Sequence, residues 1–256
     1  MNPLTMRAKI FFFSSIILLS FGIISCKKQT TEVPSLTISQ LLPLQPGKYI
    51  IYRTDSTVYT NFGTTEEIHS YEEKQNVDAQ ITDNTGRPTY RIYSYLRDTL
   101  ETQPWTPSET FFITPTSKTA EIIENNLRWV KIALPSNSGY SWNGNTYLPD
   151  NPFQDTYNFN NDDDINTWTY TYGNTDTSFS LNGQQLSHVV VVNGVNETTN
   201  VPITDPNGYA SLNFMQEYYA KDIGLVSQQF MMWEYQPRNG GYKVGFGVKR
   251  TMLNHN

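Results

Sequence analysis

The stretch that decides the fold runs from Tyr71 to Arg97, YEEKQNVDAQITDNTGRPTYRIYSYLR. Its centre, Asp83-Asn84-Thr85-Gly86-Arg87-Pro88, is crowded with turn formers: Gly frees φ, Pro fixes it, and Asp and Asn bond their own backbone. On the C-terminal side, Thr89 to Arg97 alternates well, Tyr90, Ile92, Ser94 and Leu96 opposing Arg91, Tyr93, Tyr95 and Arg97. On the other side Val77, Ala79 and Ile81 share a face, more weakly marked. Two alternating runs about a glycine-containing turn predict a β-hairpin.

The same reading extends outward. Leu41-Leu42-Pro43-Leu44-Gln45-Pro46-Gly47 is a turn-rich entry to a strand over Lys48–Tyr59. Strands are predicted at Thr110–Thr114, Thr119–Glu124 and Arg128–Leu134, the last two joined by Asn125-Asn126. Residues 135 to 166 are loop-like, full of Pro, Gly, Asn and Asp. Strands resume at Asn166–Tyr172, Phe179–Leu181 and Leu186–Asn193, where the run Val189 to Val192 suggests burial on both faces. Leu212–Lys221 reads as strand rather than helix, and Leu225 to Trp233 completes a hairpin with it around Asp222-Ile223-Gly224. At the end Tyr242, Val244, Phe246 and Val248 alternate with Lys243, Gly245, Gly247 and Lys249, glycines that allow strong curvature or a bulge. No segment has sustained helical periodicity with caps, and no repeat stands out. The fold class is mainly β: a single antiparallel β domain over residues 41–256, an open half-barrel, a barrel or a sandwich, with at most a short helix.

The N-terminus is different in kind. Arg7 and Lys9 precede Ile10–Ile24, IFFFSSIILLSFGII, which carries no charge. As a helix that run is ~22 Å long, short of the ~30 Å of a bilayer core, and so fits a signal peptide over residues 1–25. Ile23-Ile24-Ser25-Cys26 resembles the lipobox of bacterial lipoproteins, a branched residue three before the cysteine and a small one just before it. The resemblance implies lipidation of Cys26, cleavage ahead of it and membrane anchoring, followed by a tether to residue 40. Cys26 is the only cysteine, so once acylated it leaves no thiol for a disulfide or a nucleophile, and the domain must be stable by its core alone. Removal of residues 1–25 takes two basic residues and no acid, lowering Lys+Arg from 18 to 16 against 24 Asp+Glu and moving the formal charge from −6 to −8. Such a domain has no electrostatic footprint for nucleic acid.

Further segments carry a second resemblance. They are Leu42-Pro43-Leu44 with Gly47-Lys48-Tyr49; Ile81-Thr82-Asp83-Asn84-Thr85-Gly86-Arg87 with Tyr90-Arg91-Ile92; Glu124 to Lys131 followed by Ser141-Trp142-Asn143-Gly144-Asn145; and Tyr219 to Val226. Together they resemble uncharacterised lipoproteins of Bacteroidota, a group that brings no activity with it. The last segment, a strand, a turn and Gly-Leu-Val, also looks like a hairpin of LolA- and LolB-like carriers, which implies an open half-barrel holding acyl chains. In lipoproteins of that phylum acidic residues just after the cysteine accompany surface export. Lys27-Lys28-Gln29 departs from this, and an outer membrane lipoprotein facing the periplasm is expected.

Chemistry is sparse. His69, His188 and His255 are far apart and belong to no metal or triad motif, and no Gly-x-Ser-x-Gly elbow or phosphate loop occurs. Asp162, Asp164 and Asn166 have the first spacings of a calcium loop, but Thr167 stands where glycine is required and Gly173 where the bidentate Glu belongs, so a solvated acidic loop competes with a Ca2+ site. Glu66, Glu67, Glu72, Glu73, Glu109, Glu217 and Glu234 cannot be sorted into a pair, because the separation is set by the fold. Trp105 and Trp142, in Pro- and Gly-rich settings, are the aromatics expected to be exposed for ligand binding, although aromatics are also what β-cores are made of. No catalytic residue is assigned.

Three functions stay open: non-enzymatic binding of an apolar ligand or an envelope structural and assembly role, glycan binding by exposed aromatics, and hydrolysis by paired carboxylates. A lipid, a glycan or an envelope protein is accordingly the expected partner. Paired acids in one pocket, one with a raised pKa, would favour hydrolysis.

Overall fold

In the computed structural model, which describes residues 35–160 and 164–256, the deciding stretch forms a hairpin of β2 (Thr65–Thr82) and β3 (Pro88–Asp98). The Asp83 carboxylate accepts the backbone N–H groups of Thr85 and Arg87 at 2.9 and 2.8 Å, closing the turn. β2 starts six residues before Tyr71 and is bulged between Val77 and Ala79. Its alternation is weak in sequence for a physical reason: two of its buried positions, Glu72 and Glu73, are charged.

The other strands are β1 (Tyr49–Thr60), β4 (Thr106–Pro115), β5 (Thr119–Glu124), β6 (Leu127–Ala133), β7 (Ser141–Asn143) and β8 (Thr169–Tyr172), then β9 (Thr177–Leu181), β10 (Gln184–Thr199), β11 (Ala210–Ala220), β12 (Gly224–Gln236) and β13 (Tyr242–His255). They make one antiparallel sheet in the order β6-β5-β4-β3-β2-β1-β13-β12-β11-β10-β8-β7, with β9 paired to the start of β10. The mainly β expectation holds, and the only α-helices among the described residues are single turns, Ile38–Leu41 and Gln154–Tyr157.

Contacts across the sheet show how far it curls. Lys131 on β6 meets Glu217 on β11 at 2.7 Å, although seven strands separate the two in the ladder. At the seam, Val130 N–H donates to Gly144 O at 2.7 Å and the Trp142 indole N–H to Val130 O at 2.7 Å. Tyr172 OH donates to Ala133 O at 2.9 Å. The two edge strands are thus stitched by a backbone bond and two side chains rather than by a ladder, which gives a nearly closed barrel and shields edges that would otherwise template foreign strands.

Three differences from the sequence reading have local causes. The compact unit begins at Ser35 rather than residue 41. Thr37 and Gln40 form a capping box on the first helical turn, and Ile38 and Leu41 are buried in the largest apolar cluster. Residues 135–166 are not only loop: they contain β7 and a helical turn, and Leu148, Phe153, Phe159 and Ile165 pack against Met232 and Phe246. The β12–β13 ladder is in continuous register with no bulge; Gly245 is needed because a Cβ there would stand 2.1 Å from Met232 O. The valine run is buried as expected, Val190 and Val192 in one cluster and Val189 in another with Leu186 and Ala220. Residues 1–34, including Cys26, and the loop position Asp162 lie outside the described residues.

Candidate functional site

Alternation sends every second side chain of each strand into the barrel. Towards the start of β1 and the end of β13 these are apolar. Ile50, Val77, Ile92, Ile113, Ile122 and Leu225 wall a chamber of about 660 Å³, counted out to its open mouth. Leu42 to Leu44, just after the first helical turn, close one side, and Lys48 Nζ donates to Asn256 O at 2.9 Å among its few polar members. Ligand pockets are characteristically apolar with a few polar groups.

A second chamber of about 900 Å³, likewise counted to its mouth, adjoins it; Gln75, Phe111, Ile122, Tyr219 and Leu225 line both. It lies between β5 and β6 on one side and β11 to β13 on the other, with Phe153 and Tyr157 of the inserted segment over it. Tyr157 stacks on Phe246 with ring centroids 3.8 Å apart, which fixes that cover.

The second chamber is charged. Arg250 donates from Nε to Glu73 at 2.9 Å, from Nη1 to Gln228 at 2.8 Å and, more loosely, from Nη2 to Glu124 at 3.4 Å. Glu73 also accepts from Thr54, Gln75 and Ser94. Gln228 donates to Glu217 at 2.8 Å, and Glu217 in addition takes the Lys131 ammonium at 2.7 Å and the Tyr219 hydroxyl at 2.8 Å. Glu217 is 0% exposed and Glu73 3%. Replacing such buried pairs by apolar side chains is often neutral or stabilising. A barrel that needed only stability would be served as well by leucines, which makes this cluster the candidate site.

Protonation follows the geometry. Burial alone would push Lys131 down, but the facing Glu217 outweighs it and holds the ammonium above its ordinary range. Burial likewise opposes the charge on Arg250, and Glu73 and Glu124 more than restore it. Glu73 is held low against burial by Arg250 and its hydrogen bonds. Glu109 on β4 goes the other way: burial, then the charge and hydrogen bond of Glu124, raise it to about 8. The Glu109 carboxyl therefore holds its proton at neutral pH.

The residues singled out from sequence lie elsewhere. Trp142 is spent on the seam, its ring 4.7 Å from Tyr172 and 5.8 Å from Tyr170. Trp105 is half-buried before β4 under the Arg97 guanidinium, 4.3 Å from its ring centroid. The two tryptophans form no common platform. Asp164 O accepts from Thr167 N–H and hydroxyl, and Asn166 O from the Asn143 amide. Among the described residues no group of three or more His, Cys, Asp and Glu is placed to hold a metal ion. His69 pairs with Glu67 and His188 with Asp176, both at the surface. Of the carboxylates left unsorted in sequence, Glu72, Glu73 and Glu217 prove to be buried and Glu109 half-buried. Lys131 and Arg250 were missed altogether; their one signal is that each stands at the inward phase of an otherwise apolar alternation.

No helix among the described residues is long and apolar enough to cross a membrane. No protein-family model matches the chain, and no curated protein does. Among solved structures, a protein of Bacteroides fragilis NCTC 9343, named as an exported protein with a YmcC-like fold, aligns at 11% identity over 82% of this chain and 97% of its own, with a TM-score of 0.34. A likeness that loose carries neither fold detail nor function.

Proposed function

We propose that this chain is a non-enzymatic binding protein of the cell envelope that holds an amphiphilic molecule inside its barrel. The observation that carries the reading is the adjacency of an apolar and a charged chamber with a common wall. An apolar tail gains ~25 cal/mol per Å² removed from water in the first, and a polar end finds fixed hydrogen-bonding groups in the second. The signal peptide and the lipobox at Cys26 support a lipid-anchored protein on the periplasmic side of the outer membrane. No observation favours a glycan platform.

Hydrolysis keeps one observation in its favour, the raised Glu109 carboxyl beside Glu124. Two features weigh against it. Carboxylates that work on glycosides stand ~5–9 Å apart, whereas these two are hydrogen-bonded. Only Glu124 of the pair lines the chamber. The test is native mass spectrometry of the chain from Lys27 onward, made in a bacterial periplasm and purified without detergent. A co-purifying amphiphile, lost from a variant with Ile92→Lys in the apolar wall, is the expected result. An apo mass that stays apo when single-chain amphiphiles are added refutes binding. Turnover of a chromogenic ester or glycoside that disappears in Glu124→Gln would establish hydrolysis in its place.

A further inference from the structure

Resting on that reading, we infer that the charged chamber selects the ligand's polar end as an uncharged hydrogen-bond acceptor, the carbonyl oxygen of an acyl ester or amide, received by Lys131 and Arg250.

The argument is a count of donors and acceptors. The acceptors that surround the two cations, Glu73, Glu124, Glu217 and Gln228, are already occupied. Glu217 Oε1 takes Lys131 and Gln228, and its Oε2 takes Tyr219. Glu73 Oε1 takes Gln75 and Ser94, and its Oε2 takes Thr54 and Arg250. Gln228 Oε1 takes Arg250, and Glu124 is held by Arg250 and by the carboxyl of Glu109. The donors are in surplus. An ammonium has three N–H groups and a guanidinium five. Lys131 donates to Glu217 and to the Tyr170 hydroxyl, which leaves it one spare N–H, and Arg250 makes three hydrogen bonds, the one to Glu124 stretched to 3.4 Å. Both side chains line the chamber and are linked through Glu217 and Gln228, so their spare N–H groups belong to one wall.

Charge decides which acceptor. Three carboxyl-bearing side chains, Glu73, Glu124 and Glu217, already face the two cations. A fatty-acid carboxylate would add a further anion to that set, and an alkylammonium would meet spare donors and a pair of cations. A neutral carbonyl takes the donors without changing the balance. Its acyl chain continues past the shared wall of Phe111, Ile122 and Leu225 into the apolar chamber.

Three probes with one chain length test this on delipidated protein from Lys27 onward: 1-dodecanoylglycerol, dodecanoate and dodecylamine, each titrated calorimetrically at pH 7. The ester is expected to bind about tenfold tighter than either charged probe, the order of one hydrogen bond from a charged donor. In Lys131→Met/Glu217→Gln, which removes a cation with its own partner, the ester is expected to lose about tenfold. Equal affinities, or dodecanoate binding tightest, in the unmodified protein overturn the inference and leave the binding function standing. Failure of all three probes to bind removes both. The comparison among probes needs no variant, so it stands even if the double substitution fails to fold.

Discussion

Replacing Lys131 by methionine removes an ammonium whose side chain is 12% exposed and whose Nζ lies 2.7 Å from a carboxylate 1% exposed. At an effective dielectric constant of ~20 the pair attracts by roughly 6 kcal/mol, most of which only offsets the cost of taking both ions out of water. With the partner gone, Glu217 keeps Tyr219 and Gln228 but has lost its counter-ion, and breaking a buried pair in this way costs ~3–5 kcal/mol. Glu217→Gln is expected to cost as much for the mirror-image reason, leaving the Lys131 ammonium enclosed. The double variant has no charge left to strand, so its cost should be about 2–3 kcal/mol, giving a coupling of at least ~3 kcal/mol in a double-mutant cycle. For a unit of this size each single variant should melt ~6–20 °C lower. Urea titrations of the four proteins, followed by tryptophan fluorescence at pH 7, provide the free energies. If the double variant loses the sum of the two single losses within ~0.5 kcal/mol, the pair is not coupled and the energetic account of the chamber is wrong.

Titration and the seam supply the remaining predictions. Because burial and Glu124 raise Glu109 to about 8, the folded state keeps a proton that the unfolded chain gives up near pH ~4.3; stability should fall as pH rises between those values, by at most ~1.4 kcal/mol per unit and less where solvent screens the group. Glu109→Gln should flatten that slope relative to the unmodified protein, and parallel curves would dispose of the proton held by Glu109. Glu73, held low by Arg250 against burial, acts in the opposite sense: its contribution is complete above the unfolded-state value of ~4.3 and disappears as acid carries pH through the folded one. Gly144→Ala puts a Cβ 2.5 Å from the Tyr170 ring beside the seam, and should cost ~1–3 kcal/mol while speeding hydrogen exchange at the Val130 amide. Unchanged exchange at Val130 would show that the edge strands are not joined there.

What could be read from the sequence was what depends on near neighbours along the chain. A period of two is local, so the run from Thr89 to Arg97 declared a strand, and Asp83-Asn84-Thr85-Gly86-Arg87 declared its turn because the bonds that close it lie within five residues. The valines at 189–192 announced a doubly covered strand for the same reason. The segment 144–168 failed this test. Its buried Leu148, Phe153, Phe159 and Ile165 are scattered among Asn, Asp and Pro with no period, and only the barrel they cover gives them a common face.

The site belongs to the tertiary structure. Alternation separates inside from outside but does not say which inward residues will meet, since that is fixed by the curl of the sheet. Lys131 and Glu217 are 86 residues apart, and Arg250 and Glu73 are 177 apart. In the chain an inward glutamate is indistinguishable from an outward one. Glu73 even blurs the alternation of its own strand, because a charged residue is read as solvent-facing until its partner is known. Secondary structure was written in the local pattern; the pairing of buried charges, and the chamber it builds, required the barrel to close.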